Sequence, residues 1–209
     1  MAESAALVGA TGLVGRRLLD ELDGWPRLEV WSRRPLVLGA NAHPHVSPGP
    51  PPEGDDFWRT DALFVALGTT IAKAGTREAF EAVDLHLVVE CARRARQAGC
   101  PTLALVSAMG ARADSRVFYN RVKGRAEAAL RELGFPRLVI ARPSLLLGNR
   151  TEGRIGEALL RHLLGPVRSL LPRSFRPVRD VEVARSLAEA AHDTSWSGLR
   201  ILENTDLLG

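Results

Sequence analysis

Tyr119 is the only tyrosine in the chain, and it stands four residues before Lys123, one of two lysines, the other being Lys73. Positive charge is written elsewhere as arginine, so a lone phenol and a rare ammonium at this spacing suggest chemistry. On a helix, residues i and i+4 share a face about 5–6 Å apart. A free phenol, with a pKa of about 10, exchanges protons poorly at neutral pH. An ammonium roughly 4 Å away in a partly screened site is worth at most about 4 kcal/mol to the phenolate, or about 3 pKa units. That brings the phenol towards the range of a general acid or base. An arginine supplies charge too, but its wide fork fits less well than a compact ammonium that must reach neighbouring hydroxyls. Ser107, twelve positions before Tyr119, adds a hydroxyl. The bare spacing also fits an ordinary aromatic–lysine pair on an amphipathic helix, so the surrounding elements must decide.

Those elements begin at the amino terminus. Ser4 to Val8 is an apolar strand, Gly9-Ala10-Thr11-Gly12-Leu13-Val14-Gly15 a turn, and Arg16 to Leu22 has helical periodicity. Gly9 allows the tight turn, Gly12 lets a diphosphate approach the backbone, and Gly15 lets helix and strand pack closely. The helix start then offers N–H groups and a positive dipole end to phosphates. A second strand, Arg27 to Trp31, ends in Ser32-Arg33-Arg34. In a dinucleotide site this tip meets the adenosine ribose, where a carboxylate selects NAD and arginine selects NADP. Glu29 lies inside the strand and the tip is arginine, so NADP, with NADPH preferred over NADH, is expected.

Residues 35–60 are rich in proline and glycine, which forbids a long helix or central strand and leaves room for a short edge strand near His43–Val46. His43 and His45 lack further His or Cys companions, and no metal site is expected. Asp61 to Leu67 reads as a buried parallel strand, followed by Gly68-Thr69-Thr70, small residues that let the backbone pass close to a cofactor. A long helix is predicted from Thr76 to Gly99, bent near Asp84, with Leu85, Val88, Val89 and Ala92 inward. Thr102 to Val106 is the next buried strand and puts Ser107 at its carboxyl end, the edge where ligands bind in open α/β sheets. A helix from Val117 to Leu133 carries Tyr119 and Lys123. Arg137 to Ala141 is a further strand, leading into Arg142-Pro143-Ser144-Leu145. Beyond lie a helix at about 153–164, a proline-punctuated loop, a helix from Asp180 (as N-cap) to about His192, and a last strand at Gly198–Leu202. Alternating strands and helices predict an α/β fold, a doubly wound parallel sheet of Rossmann type in a single domain over 1–209, with about 146–192 as a short substrate or lid portion.

The 209 residues carry a net charge of +4. Residues 150–185 hold eight arginines against four acids, which equals that whole excess. Two readings stand: a basic lid over an anionic substrate's site, or an arginine-decorated surface. The basic residues are not interleaved with aromatics, which argues against nucleic acid. Cys91 and Cys100 lack redox or zinc spacing and read as reduced thiols. No leader precedes the first strand and no apolar run approaches a bilayer span, so a cytoplasmic protein with no membrane partner is expected. A homodimer is a further expectation.

Gly9-x-x-Gly12-x-x-Gly15, Ser107, Tyr119-x-x-x-Lys123 and Arg142-Pro143, in this order, resemble the short-chain dehydrogenase/reductase superfamily in its extended or atypical branch. Leu67-Gly68-Thr69-Thr70, Val106 to Ala111, Tyr119 to Gly124 and Arg142 to Leu146 are similar, more narrowly, to the small oxidoreductases related to HIV Tat-interacting protein. The resemblance implies that Ser107 hydrogen-bonds a substrate carbonyl or alcohol and that Tyr119 exchanges its proton. It implies that Lys123 binds the nicotinamide ribose and that backbone at Pro143, Ser144 and Leu145 meets the carboxamide. Two features depart from the pattern. Leu67-Gly68-Thr69 replaces the Asn-Ala-Gly run, and the fourth catalytic member, an asparagine, has no obvious counterpart. With the short region after Leu145, these argue against sugar epimerase or dehydratase activity. The expected function is NADP-dependent hydride transfer on a small carbonyl or alcohol, anionic ones included; the alternative is a non-catalytic NADPH-binding regulatory or protein-interaction module.

Overall fold

The computed structural model describes residues 2–147 and 172–208. The predicted helix at 153–164 lies outside them, as does much of the arginine-rich segment. Seven parallel strands form one sheet: β1 (Ser4–Val8), β2 (Arg27–Ser32), β3 (Ala42–Val46), β4 (Ala62–Val65), β5 (Thr102–Val106), β6 (Arg137–Arg142) and, last in the chain, a strand at Gly198–Glu203. Their spatial order is β3-β2-β1-β4-β5-β6 with the last strand beside β6. The chain winds one way from β1 to β3 and the other way from β4 onward. A crevice therefore opens beyond the carboxyl ends of β1 and β4, where the winding reverses.

The central strands are apolar nearly throughout because both faces are covered. Helix α1 (Leu13–Glu21) and a helix at Asp180–His192 cover one face, with Leu18, Trp25, Val183 and Leu187 buried against Leu7 and Phe64. The other face carries α2 (Asp55–Trp58), the long helix predicted from Thr76, and a helix at Phe118–Glu132, with Phe57, Trp58, Val88, Cys91 and Leu130 in its core. The irregular stretch at 35–60 thus ends in a short helix that buries two aromatics, which its prolines did not announce. Trp58 Nε1–H donates to the Pro52 carbonyl at 2.8 Å, so the polyproline run becomes the rim of this core.

After β4 come α3 (Ile71–Ala74) and α4 (Arg77–Glu81), which runs through a π-helical turn (Ala82–Leu87) into α5 (Val88–Gln97). The bend expected near Asp84 is this turn, and a wider turn of this kind pushes one side chain out of the regular helical stripe. Helix α6 spans Phe118–Glu132. Two short parallel strands, β7 (Leu146–Leu147) and β8 (Val178–Arg179), pair apart from the main sheet; α7 (Asp180–His192) and β9 (Gly198–Glu203) end the fold. Asp180 is not the N-cap of α7: Arg179 is, its N–H donating to Glu182 at 2.8 Å. Asp180 is the first helical residue and is buried against Arg17 of α1 at 3.2 Å, tying the two helices of that face together.

Both thiols sit in the second core. Burial pushes the Cys91 thiol up to about 12 and that of Cys100 up to about 11. The thiolate is the nucleophile. Iodoacetamide at neutral pH should therefore modify neither cysteine in the native protein and both after unfolding, as read by intact mass.

Candidate active site

The turn after β1 follows from backbone geometry. Gly9 has φ +92°, and a Cβ there would lie 2.5 Å from the Ala66 carbonyl group. A Cβ on Gly15 would lie 2.0 Å from the Gly9 carbonyl oxygen. Only glycine lets β1, β4 and α1 approach this closely. Gly12 N–H donates to Gly9 O at 3.0 Å, and α1 begins at Leu13 with neither a side-chain cap nor an acid in its first turn. Ala10 and Val14 are buried beneath the turn and Thr11 is exposed at its tip. An uncapped helix start over a turn of small residues fits the diphosphate of a dinucleotide.

At the tip of β2 the buried Ser32 donates its Oγ–H to the Arg34 carbonyl at 2.6 Å, which turns the chain and leaves Arg33 and Arg34 exposed. Glu29 is engaged inside the sheet by Arg27 at 2.8 Å and by His45 of β3. His45 is accounted for by this contact, and among the described residues no cluster could hold a metal ion.

Beyond β4, Leu67-Gly68-Thr69-Thr70 crosses the switch point. Thr70 caps α3, its Oγ1 accepting from Lys73 N–H at 3.1 Å. Thr69 N–H donates to Asp84 Oδ2 at 2.9 Å. Asp84 Oδ1 meets Lys123 Nζ at 2.7 Å, as a charge contact outside good hydrogen-bond alignment. Asp84 is 1% exposed and Lys123 5%. A Cβ on Gly68 would lie 3.8 Å from Lys123 Nζ, so the loop backbone passes against the ammonium. The π-helical turn delivers this carboxylate to the site; the sequence signalled the bend but not its partner, because the two residues are far apart in the chain.

Tyr119 and Lys123 lie one turn apart on α6, as their spacing predicts. The phenol ring is half-buried against Phe80, centroids 5.7 Å apart, and among the described residues no hydrogen bond joins it to Ser107 or Lys123. Ser107 is buried at the end of β5, with its N–H on the Ala141 carbonyl at 2.8 Å. Its Oγ–H donates to Glu127 Oε1 at 2.6 Å. Glu127, 2% exposed, also accepts from Arg142 Nε at 3.1 Å and Nη2 at 2.6 Å, and Arg142 Nη1 reaches Glu203 at 2.8 Å. The Glu127 carboxylate raises the Arg142 guanidinium above its ordinary value, with burial acting the other way. Glu127 was missed from sequence, although a signal was there. It falls one turn after Lys123, beside the buried Ala126 and Leu130, where an acid needs a partner.

The Pro143–Leu145 backbone is held firmly. Met109 N–H donates to the Pro143 carbonyl at 2.9 Å and Val178 N–H to that of Leu145 at 3.1 Å. Asn204 accepts Ser144 N–H at 2.7 Å and donates to the Arg173 and Arg176 carbonyls, while Ser144 Oγ–H donates to the latter at 2.7 Å.

A seven-stranded parallel sheet in this order, with a glycine turn at its switch point and Ser107, Tyr119 and Lys123 at its carboxyl edge, defines a Rossmann protein of the short-chain dehydrogenase/reductase pattern. No family model matches the chain. It is 34% identical to mitochondrial protein FMP52-1 of Scheffersomyces stipitis over 93% of this chain and 91% of that protein. It is 33% identical to protein HTATIP2 of Rattus norvegicus, covering 99% and 88%. The chain belongs to the family of FMP52 and HTATIP2. Among solved structures it resembles MoeE5, there in complex with UDP-glucose and NAD, with TM-score 0.72 and 17% identity over 96% of this chain and 76% of that one; at that identity the likeness is one of fold. The cytoplasmic expectation is overturned: the FMP52 relatives are named mitochondrial, and the relatives point to that compartment rather than the cytosol. No helix among the described residues is long and apolar enough to cross a membrane.

Proposed function

We propose that this protein is an NADP-dependent oxidoreductase transferring hydride between a nicotinamide and a small carbonyl or alcohol, anionic ones included. The observation that carries the reading is the placement of Lys123 Nζ against the Gly68 backbone, one helical turn from Tyr119 and beside the crevice that the glycine turn opens. Residues Gly9 to Gly15 would hold the diphosphate, Ser32 to Arg34 the adenosine end, Leu67 to Thr70 and Lys123 the nicotinamide ribose, and Pro143 to Leu145 the carboxamide. The cofactor supplies the hydride. Tyr119 then exchanges the proton with the substrate oxygen, and Lys123 orients the ribose and supplies positive charge beside the phenol. Ser107 positions the substrate oxygen.

The commitment of Glu29 to Arg27 and His45 supports the NADP preference, because it leaves the exposed arginines as the groups at the ribose end. Arg33→Ala should weaken NADPH binding by about tenfold, as loss of one charge-assisted phosphate contact, and leave NADH binding nearly unchanged. Equal wild-type affinities for NADPH and NADH, measured by calorimetry, would refute the assignment. One observation favours a second reading, a cofactor-holding module without turnover: the Ser107 proton is already donated to Glu127 rather than offered to a substrate.

A further inference from the structure

Asn204 is a buried polar residue that the sequence motifs do not contain and the proposed reaction does not use. It is 2% exposed and stands one position beyond β9, whose Glu203 pairs in register with Arg142 at the end of β6. That register brings it to the carboxyl edge of the sheet, level with the loop that follows β6. Its side chain makes three hydrogen bonds there. Oδ1 accepts Ser144 N–H at 2.7 Å, and Nδ2 donates to the carbonyls of Arg173 at 3.2 Å and Arg176 at 2.8 Å. Only one orientation of the amide fits, since turning it over would set its oxygen against two carbonyls and its NH2 against an N–H. Neither Asp nor Leu, which share its shape, supplies both the acceptor and the donors.

The polar groups of the loop can be followed one by one. The Pro143 carbonyl takes Met109 N–H, the Leu145 carbonyl takes Val178 N–H, Ser144 N–H goes to Asn204, and the Ser144 hydroxyl goes to the Arg176 carbonyl. Among the described residues, the peptide unit joining Ser144 to Leu145 keeps its C=O and its N–H without a protein partner. We infer that Asn204 is a positioning residue for the nicotinamide: by holding Ser144 N–H it presents the Ser144–Leu145 peptide unit to the crevice, as the loop's free donor and acceptor for the carboxamide. This rests on the dinucleotide reading above and deepens it. The same side chain ties the 173–176 turn to the loop, so neither shifts without the other.

The test compares NADPH with 2′-phospho-ADP-ribose, which is the same ligand without its nicotinamide. By calorimetry, Asn204→Ala should weaken NADPH about tenfold, the equivalent of one ordinary hydrogen bond, and 2′-phospho-ADP-ribose by less than about twofold. Asn204→Asp keeps the acceptor for Ser144 but turns its second oxygen on two carbonyls, and should weaken NADPH at least as much. Ser144→Ala removes only the hydroxyl's hold on Arg176 and should show a smaller loss confined to the same ligand; if Asn204→Ala fails to fold, this variant carries the comparison. In the cofactor-free protein, hydrogen exchange read by mass spectrometry should rise in Asn204→Ala over residues 143–147 and 172–178 and stay unchanged over β1 and β4. Equal weakening of both ligands in Asn204→Ala would mark a merely structural residue and overturn the inference. So would NADPH affinity unchanged in all three variants, or unchanged exchange over residues 143–147. Wild-type binding of both ligands with no selective loss in the variants defeats the inference alone; wild-type binding of neither defeats the dinucleotide reading, and the inference with it.

Discussion

Replacing Tyr119 by Phe should lower turnover by at least about a hundredfold while leaving NADPH affinity and melting temperature nearly unchanged. The structure makes this a clean experiment. The ring of Tyr119 rests on the fully buried Phe80, and a phenylalanine keeps that contact and the helix around it. What disappears is one hydroxyl, which holds nothing together: no hydrogen bond from it to another described residue is present. A loss of turnover therefore reports proton exchange rather than damage to the fold. Wild-type turnover in Tyr119→Phe, or a biological output of the protein that survives the substitution, would instead favour the cofactor-holding module.

The largest expected effect on stability lies behind the site rather than in it. Glu127→Ala removes the acceptor shared by Ser107 and Arg142 and leaves a guanidinium with the exposed Glu203 as its remaining close partner. Breaking a buried ion pair from one side typically costs about 3–5 kcal/mol. For a chain of this size that is about 6–20 °C in melting temperature, at about 2–4 °C per kcal/mol. Differential scanning calorimetry reads it directly. Replacing Arg142 by Met together with Glu127→Leu should recover much of the loss, because the penalty comes from the stranded charge and not from absence of the pair. Loss below about 1 kcal/mol in Glu127→Ala would mean that the network is no better than a surface salt bridge.

The sheet was legible because each central strand is a run of apolar residues bounded by glycine, proline or charge, and covering both faces demands that pattern. The glycine turn was legible for a related reason: at Gly9 and Gly15 a single methyl would collide with backbone. Tyr119 and Lys123 stood out by rarity and by a spacing that a helix turns into adjacency. What stayed hidden were the partners. Asp84 reaches Lys123, and Glu127 reaches Ser107 and Arg142, across elements separated in the chain, and no local periodicity encodes such pairing. The bend at Asp84 was visible as an irregularity, but its consequence belongs to the packing of the π-helical turn on α6. Asp180 illustrates the same limit on a smaller scale. Its residue type suits an N-cap, yet the buried contact with Arg17 draws it one position into the helix and gives the cap to Arg179. The compartment, finally, is carried by relationship to other proteins and not by any feature of the folded core.

On the proposed reading, the crevice between β1 and β4 takes a pyridine dinucleotide through its uncapped helix start. The most direct measurement is a titration of NADPH into the cofactor-free protein, following nicotinamide fluorescence, with Gly12→Asp as the comparison. The wild type should bind saturably at one site, with displacement by NADP. Gly12→Asp should lose nearly all binding, because its carboxylate would stand where the diphosphate lies. Failure of the wild type to bind at millimolar NADPH, or equal binding by both proteins, would contradict it.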